Sequence, residues 1–366
     1  MIAFFVGTTA ELIKIAPVYH AVAARGRAPE LWFTAWHVDG VAETLADLRL
    51  PQPDVWLVPP GGAEQVDRSS RVPRWAARVA ATACRRRGEL RRRLAADGRP
   101  PLVVVHGDTF STPYGCLIAR KLLGVRVAHI EAGMRSGSIT SPFPEELNRR
   151  VASRLTDIHF APTRREVDNL AGSGGVVVET GANTVVDAVR AALATGGALV
   201  DLPPEYGLAT LHRFELLSRA DRFREVLERL REAAERTPIV YFAGLLERER
   251  VDSAGLRGLF DDEHLLMRPK LRYAQFLPVL ARARFVVTDS GGLQEECAYL
   301  GVPAAIHRKR TERRQGLGDN VVLTGMDPDR LASFLTDPES LRRPSRLDDH
   351  HPTEKVVATL AALDFC

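Results

Sequence analysis

The chain has 366 residues, more than a single hydrophobic core usually holds, so we expect two domains of roughly 150 to 180 residues. With 45% hydrophobic and 26% charged residues, the composition excludes a disordered or collagen-like chain. The formal net charge is only +4, but arginine far outnumbers lysine. Because arginine binds phosphate well, this balance is compatible with a phosphate-containing ligand as well as with nucleic acid.

Other features exclude further classes of protein. No stretch approaches the roughly 18 apolar residues of a membrane span, and Met1–Val6 lacks the basic start of a signal peptide, so we expect a cytoplasmic protein without a membrane partner. The four cysteines have neither metal-ligand nor disulfide spacing, which predicts reduced thiols and no metal site. The arginine run at 85–93 contains no aromatic residue, so a solvated helix face is favoured over a nucleic-acid partner.

The first half of the chain alternates strands with helices. Ile2–Val6 is an apolar run that ends at Gly7, and Ala10–Ala24 has apolar residues at helical spacing. This order is typical of the start of a doubly wound α/β fold. Further buried parallel strands are predicted at Glu30–Thr34, Leu102–His106, Arg126–Ile130 and Ile158–Ala161, with a helix over Ser111–Leu123.

A second series of strands is expected after the loop Gly172–Gly175. Its strands are predicted at Val176–Glu179, Tyr206–Leu211, Ile239–Phe242, Leu265–Met267, Phe285–Thr288 and Ala304–Ile306, with helices such as Ala220–Arg236 between them. The fold class is therefore α/β with two Rossmann-like domains, at residues 1–170 and 171–350. Residues 351–366 are expected to hold a C-terminal helix, and whether it packs back on the first domain is left open.

Acidic residues cluster where predicted strands end. Asp108 follows one strand, Glu131 follows the next, and Glu145 lies at a helix start shaped by prolines. Ligands of open α/β sheets bind outside the carboxyl ends of the strands. Any one of these carboxylates could serve as a helix cap, but three clusters in this short stretch predict a catalytic pocket.

The stretch Thr288–Glu296 follows a predicted strand and places Gly291–Gly292 at a helix start. Free backbone N–H groups and the helix dipole predict a diphosphate cradle there, and Glu296 is spaced to bind a ribose diol. Neither a P-loop nor a complete G-x-G-x-x-G motif is present, so NAD is not indicated. His212–Arg213 follows another strand end and is predicted to face the same cleft.

The motifs GTTAELIKIAP, VHGDT, HIEAGMRSGSITSPFPEELNR, TGANTVVDA, LHRFE and VTDSGGLQEE occur in this order between Gly7 and Glu296. Together they resemble the UDP-N-acetylglucosamine 2-epimerase family, and most closely its non-hydrolysing bacterial branch. The resemblance implies two Rossmann-like domains of the GT-B type with the active site in the cleft between them. It also implies a UDP-sugar substrate, no cofactor and a homodimer.

The resemblance further implies roles for individual side chains. Asp108, Glu131 and Glu145 match the catalytic acid and base groups, without a division of roles among them. His212 is counted with the catalytic residues and contacts the substrate or the departing diphosphate. The residues implied to bind the substrate are Lys14, Arg149, Arg213, Ser290, Gly291, Gly292, Glu296 and Arg313. No metal is required, because cations and helix amides can hold the phosphate charge.

The chain departs from the family pattern at several points. The family's usual GTRPE motif reads GTTAE at Gly7–Glu11, so the arginine that would contact the diphosphate is absent. Candidates to replace it lie in the segment Arg308–Arg314. The usual TGQH reads TAWH at Thr34–His37, which leaves open whether a second UDP-sugar site exists. Gly318–Val321 is more similar to the hydrolysing branch.

The expected reaction is inversion of C2, between UDP-GlcNAc and UDP-ManNAc, through elimination and re-addition of UDP. The alternatives are a hydrolysing 2-epimerase that releases UDP and ManNAc, a GT-B glycosyltransferase, and a non-enzymatic nucleotide-sugar or nucleic-acid binder. A role in antibiotic sugar supply is a hypothesis drawn from the arginine-rich composition and these departures.

Overall fold

The computed structural model describes residues 1–59, 71–136, 144–196 and 201–366. It divides into two compact units, unit 1 with Met1–Ala188 and His350–Cys366, and unit 2 with Val189–Asp349. Among the helices of these described ranges, none is long and apolar enough to cross a membrane.

Unit 1 contains a parallel sheet of seven strands in the order β3-β2-β1-β4-β5-β6-β7. The strands are β1 (Ile2–Val6), β2 (Glu30–Phe33), β3 (Val55–Trp56), β4 (Leu102–His106), β5 (Arg126–Ile130), β6 (Ile158–Ala161) and β7 (Val176–Glu179). The central strands β1 and β4 are buried along their whole length, as expected for a parallel sheet with helices on its faces. This arrangement confirms the doubly wound α/β prediction.

The first eight helices are α1 (Thr9–Ala24), α2 (Val41–Asp47), α3 (Val72–Arg85), α4 (Arg87–Ala95), α5 (Ser111–Leu117), α6 (Glu145–Leu155), α7 (Arg164–Asn169) and α8 (Val185–Ala194). The boundary between the two units, after Ala188, falls within α8. The predicted helix over Ser111–Leu123 is α5 followed by a π-helical segment at Ile118–Leu123. Thr8 caps α1, because its side chain accepts a hydrogen bond from the backbone N–H of Glu11 at 3.2 Å.

The prediction that Val176–Glu179 opens the second series of strands is wrong. This segment is β7, the edge strand of the first sheet, and it pairs with β6 through Ile158↔Val176. Gly175 precedes it with a φ of +77°, and a Cβ atom there would lie 2.5 Å from the backbone oxygen of Asp157. The loop therefore turns back tightly onto its own sheet, a long-range pairing that hydrophobic periodicity does not report.

Unit 2 contains a parallel sheet of six strands in the order β10-β9-β8-β11-β12-β13. The strands are β8 (Gly207–Thr210), β9 (Ile239–Ala243), β10 (Leu265–Pro269), β11 (Val286–Thr288), β12 (Ala304–Ile306) and β13 (Val321–Leu323). Its helices are α9 (Phe214–Leu217), α10 (Ala220–Ala234), α11 (Leu245–Ser253), α12 (Tyr273–Arg282), α13 (Gly291–Leu300) and α14 (Pro328–Thr336). The strands β3 and β13 were not predicted, and β3, with two residues, is too short to show a periodicity.

The last helix, α15 (Pro352–Ala362), belongs to unit 1. It packs against α1 and buries Val356, Val357 and Leu360. In both units the strand order reverses beside the first strand of the sheet, between β1 and β4 and between β8 and β11. Such switch points open a crevice at the carboxyl ends of the strands, where α/β proteins bind ligands.

Candidate functional site

Asp108 lies just beyond the switch-point strand β4, where its carboxylate accepts a hydrogen bond from the guanidinium of Arg149. Arg149 is a buried residue of α6, and the preceding Asn148 donates from Nδ2 to the backbone oxygen of Asp108 at 2.9 Å. The side chain and the backbone of Asp108 are thus both held by α6.

Glu131 lies at the end of the neighbouring strand β5 and is almost fully buried. Its Oε2 accepts from Lys14 Nζ at 2.5 Å and from Asn183 Nδ2, and His106 Nε2 lies 3.9 Å away. The backbone of Glu131 has a φ of +65°, a conformation that costs a non-glycine residue about 1–2 kcal/mol. Such strain is found at functional sites, where the surrounding structure compensates for it.

Glu11 is a buried acid for which no role was predicted. Its carboxylate accepts from the backbone N–H of Gly7 at 2.8 Å and from the Thr8 hydroxyl at 3.0 Å. It also accepts from the Thr109 hydroxyl at 2.8 Å, so α1 is tied to the residue that follows Asp108. Burial raises the pKa of Glu11 to about 7, against the effect of these hydrogen bonds.

The His129 side chain holds the turn before Asp108 through a hydrogen bond to the backbone of Gly107. Its Nε2 lies 2.8 Å from the backbone oxygen of Gly107, a distance at which an Nε2–H group donates to that oxygen. Gly107 has a φ of +63° and immediately precedes Asp108. Burial lowers the pKa of His129 to about 4, so the imidazole is neutral at neutral pH and acts as a fixed donor.

Glu145 is the first residue of α6. Its Oε2 atom is buried and accepts no hydrogen bond from any residue that the structure describes. The neighbouring Glu146 is different, because it accepts from the Ser136 N–H at 3.0 Å and from Arg150 Nε at 2.9 Å. Glu146 therefore fixes the local structure, while Glu145 keeps an oxygen that accepts no hydrogen bond from a described residue. The preceding motif residues 137–143 lie outside the described residues.

In unit 2, the central group at the switch point is Asp289, for which no role was predicted. This carboxylate is buried beyond β11 and accepts the backbone N–H of His212 at 2.9 Å and that of Arg213 at 2.8 Å. The His212 ring contacts it as well, with Nδ1 3.2 Å from Oδ1. Burial lowers the pKa of His212, and the negative charge of Asp289 opposes this effect. Asp289 thus joins the ends of β8 and β11.

Helix α13 begins at Gly291 with Ser290 as its N-cap, since the Ser290 hydroxyl accepts from the Leu293 N–H at 3.4 Å. A Cβ atom at Gly291 would lie 3.2 Å from Arg308 Nη1 and 3.4 Å from Arg313 Nε. Glycine therefore keeps the helix N-terminus open to a ligand beside these guanidinium groups.

Two buried glutamates of α13 have different surroundings. Glu295 accepts a hydrogen bond from Arg313, which anchors the segment after β12 to this helix. Glu296 lies near Tyr273 at the start of α12. Burial and the nearby Glu296 charge raise the pKa of the Tyr273 hydroxyl well above its usual value, so it stays protonated beside this carboxylate.

The structure thus brings predicted residues together within each unit. In unit 1, Asp108 pairs with Arg149 and Glu131 with Lys14. In unit 2, the backbone of His212–Arg213 is joined through Asp289 to the turn that begins α13. Among the described residues, no group of three or more His, Cys, Asp or Glu side chains could hold a metal ion.

Glu11, Asn183 and Asp289 belong to these networks but were not predicted as site residues. For Glu11 the sequence did contain a signal, since Thr8 and Glu11 have the spacing of a capping box. For Asp289 the signal was its place directly after a strand. Asn183 gave no local signal, because its partner Glu131 is 52 positions away in the chain.

Comparison with known structures defines the class of protein. A crystal structure described as UDP-GlcNAc 2-epimerase from Neisseria meningitidis bound to UDP-GlcNAc aligns with a TM-score of 0.78 and 25% identity over 99% of each chain. The glycosyltransferase SnogD from Streptomyces nogalater aligns with a TM-score of 0.52 at 17% identity, a likeness of fold alone. The chain has the GT-B type of fold, as predicted.

Sequence comparison defines the family. The family model described as UDP-N-acetylglucosamine 2-epimerase matches residues 90–360. A UDP-N-acetylglucosamine 2-epimerase of Bacillus subtilis (strain 168) is 34% identical, over 68% of this chain and 68% of its own length. One of Escherichia coli (strain K12) is 30% identical, over 90% of this chain and 88% of its own. The chain belongs to the UDP-N-acetylglucosamine 2-epimerase family, which confirms the resemblance and identifies an enzyme of the isomerase class.

Proposed function

We propose that the protein inverts C2 of the sugar in UDP-GlcNAc, and so interconverts it with UDP-ManNAc without net hydrolysis. The observation that carries the proposal is the pair of acids at adjacent strand ends, each with its own cation: Asp108 with Arg149 and Glu131 with Lys14. The substrate class is supported by the N. meningitidis relative described as bound to UDP-GlcNAc.

The chemistry of C2 requires such acids. This carbon has no neighbouring carbonyl, so removal of its proton from the intact sugar gives no stabilised carbanion. In the proposed route UDP leaves C1 with the electron pair of the C1–O bond. A carboxylate takes the C2 proton, and the C–H electron pair forms the C1=C2 bond of 2-acetamidoglucal. UDP then adds back to C1 while a proton is delivered to the opposite face of C2, which inverts that carbon.

The proton-carrying groups are drawn from Asp108, Glu131 and Glu145. Asp108 and Glu131 each accept a hydrogen bond from a cationic side chain, so a positive charge lies beside each candidate base. Glu145 has a buried oxygen without a partner among the described residues, so a proton can enter or leave it without breaking a hydrogen bond. We propose Glu145 as the proton donor in one direction and one of the paired carboxylates as the base.

Unit 2 is proposed to hold the UDP moiety. The N–H groups at Ser290, Gly291 and Gly292 would meet the diphosphate at the α13 N-terminus, and Glu296 would bind the ribose. His212, next to Asp289, would stabilise the departing diphosphate.

The test is incubation of the protein with UDP-GlcNAc in heavy water, followed by NMR of the sugar. Deuterium at C2 in intact UDP-GlcNAc and UDP-ManNAc is expected. Free UDP with ManNAc would instead establish the hydrolysing reaction, and a sugar that keeps its C2 proton without turnover would refute epimerisation of this substrate.

Variants of the paired acids make the test specific. Asp108→Asn and Glu131→Gln should each slow deuterium incorporation by about 100-fold or more, which is the usual contribution of a general acid or base. Glu166→Gln is the matched control, since Glu166 is a buried acid of unit 1 whose hydrogen bond is to Thr163 at the start of α7. Normal incorporation in Asp108→Asn and Glu131→Gln would refute the assignment.

A further inference from the structure

Arg308 is a buried arginine in the segment that follows β12. It lies two residues beyond that strand, which pairs with β11 through Thr288↔Ile306. Its side chain is only 9% exposed. The place that a Cβ atom would take at Gly291 is 3.2 Å from Arg308 Nη1, so the guanidinium lies beside the first residue of α13.

The guanidinium of Arg308 donates no hydrogen bond to any residue that the structure describes. Its ion pair with Glu312 is 3.7 Å long, from Nη2 to Oε2, which exceeds hydrogen-bond length. Buried arginines normally have donors that are satisfied. The buried Arg313 and Arg149, for example, each donate to a carboxylate. The donors of Arg308 are therefore left for a ligand at the helix N-terminus.

The surroundings of Arg308 favour an anion. Burial, with the nearby positive charge of Arg213, lowers the pKa of Arg308, and neighbouring carboxylates only partly oppose this. One of these, Asp289, is already engaged with two backbone N–H groups. The N-terminal end of α13 adds further positive potential. A ligand with more than one negative charge would therefore be stabilised here more than a singly charged one.

We infer that Arg308 is a binding residue for the diphosphate of a nucleoside diphosphate, which it meets together with the N-terminus of α13. The inference rests on the proposed function for the choice of ligand. A planar guanidinium can donate to two phosphate oxygens at once, and a buried one loses little conformational freedom on doing so. Arg308 thus supplies a cation beside the N-terminus of α13.

The test is isothermal titration of the full chain with UDP and, separately, with uridine, which lacks the diphosphate. Arg308→Met should weaken UDP binding by about 10- to 100-fold, the usual value of hydrogen bonds to a charged group, and should leave uridine binding unchanged. Arg308→Lys should fall between Arg308→Met and the wild type. Arg310→Met is the matched control, because Arg310 is an exposed arginine of the same segment, and it should change UDP affinity less than about twofold.

Three outcomes would overturn the inference. The first is UDP affinity within about twofold of the wild type in Arg308→Met. The second is an equal loss for uridine and UDP, which would indicate damage to unit 2 rather than loss of a diphosphate contact. The third is a wild-type protein that does not bind UDP.

Deuterium incorporation at C2 of UDP-GlcNAc separates this test from that of the proposed function. If Arg308→Met binds UDP normally while the wild type exchanges C2, the inference alone fails. Selective loss of UDP binding in Arg308→Met, without C2 exchange in the wild type, refutes only the function.

Discussion

Replacement of Glu11 by glutamine should change how the stability of unit 1 depends on pH. Burial raises the pKa of Glu11 from 4.5 to about 7, so the folded chain holds this proton more tightly than the unfolded chain. The folded state is therefore favoured by the protonated group below pH 4.5, and this contribution is lost as the pH rises toward 7. A shift of one pKa unit is worth about 1.36 kcal/mol, so the full shift of Glu11 lowers the free energy of unfolding by about 3 kcal/mol as the pH rises. About 2.5 kcal/mol of this loss falls between pH 5 and pH 8.

The glutamine variant cannot ionise, so it lacks this pH-dependent loss. Its amide oxygen can accept from the Gly7 N–H, and its amide N–H can donate to the Thr109 hydroxyl, which retains the local hydrogen bonds. Relative to the wild type, the free energy of unfolding of Glu11→Gln should rise by about 2–3 kcal/mol from pH 5 to pH 8.

The assay is urea unfolding at several pH values, followed by tryptophan fluorescence. It reports on the correct unit, because unit 1 holds the four tryptophans of the chain, Trp32, Trp36, Trp56 and Trp75. Glu166→Gln is the control for removal of a capping-box carboxylate, since Glu166 occupies the same place at the start of α7. Curves for the wild type and Glu11→Gln that stay parallel within about 0.5 kcal/mol across this pH range would contradict the reasoning.

Two further perturbations test backbone constraints. Gly133 and Gly172 both have positive φ, but a Cβ at Gly133 would lie 2.3 Å from the backbone oxygen of Glu166, while Gly172 has nothing within 4 Å. Gly172→Ala should lower the free energy of unfolding in urea by about 1–2 kcal/mol, and Gly133→Ala should lower it clearly more. An equal loss in the two variants would contradict the close approach of Gly133 to the Glu166 backbone. Asp289→Ala should destabilise unit 2 by about 2–4 kcal/mol, because two backbone donors lose their charged acceptor. Hydrogen exchange should then show faster exchange of the His212 amide, and unchanged protection there would contradict the role of Asp289.

Much of the candidate site was predicted from local pattern alone. Asp108 and Glu131 were found because each follows an apolar run, and the end of a parallel strand is where such a sheet binds ligands. The Gly291–Gly292 pair was found in the same way, since a helix start after a strand has its own signature of residues. These signals act over a few positions, so a single sequence contains them in full.

The pairings within the site could not be found in this way. Lys14 and Glu131 are 117 positions apart, and their contact exists only because β1 and β5 flank β4 in the folded sheet. Val176–Glu179 was wrongly assigned to the second sheet for the same reason, because the residues of a strand do not indicate which strand it pairs with.

The amino-acid sequence by itself determined where strands, helices and their polar ends fall, because side-chain periodicity and turn residues act on the chain locally. Only the tertiary structure decided which charges meet and which are left for a ligand. The position of the Arg308 guanidinium beside Gly291 and the burial of the Glu11 carboxyl depend on the order of strands, which follows from burial of the whole apolar surface at once.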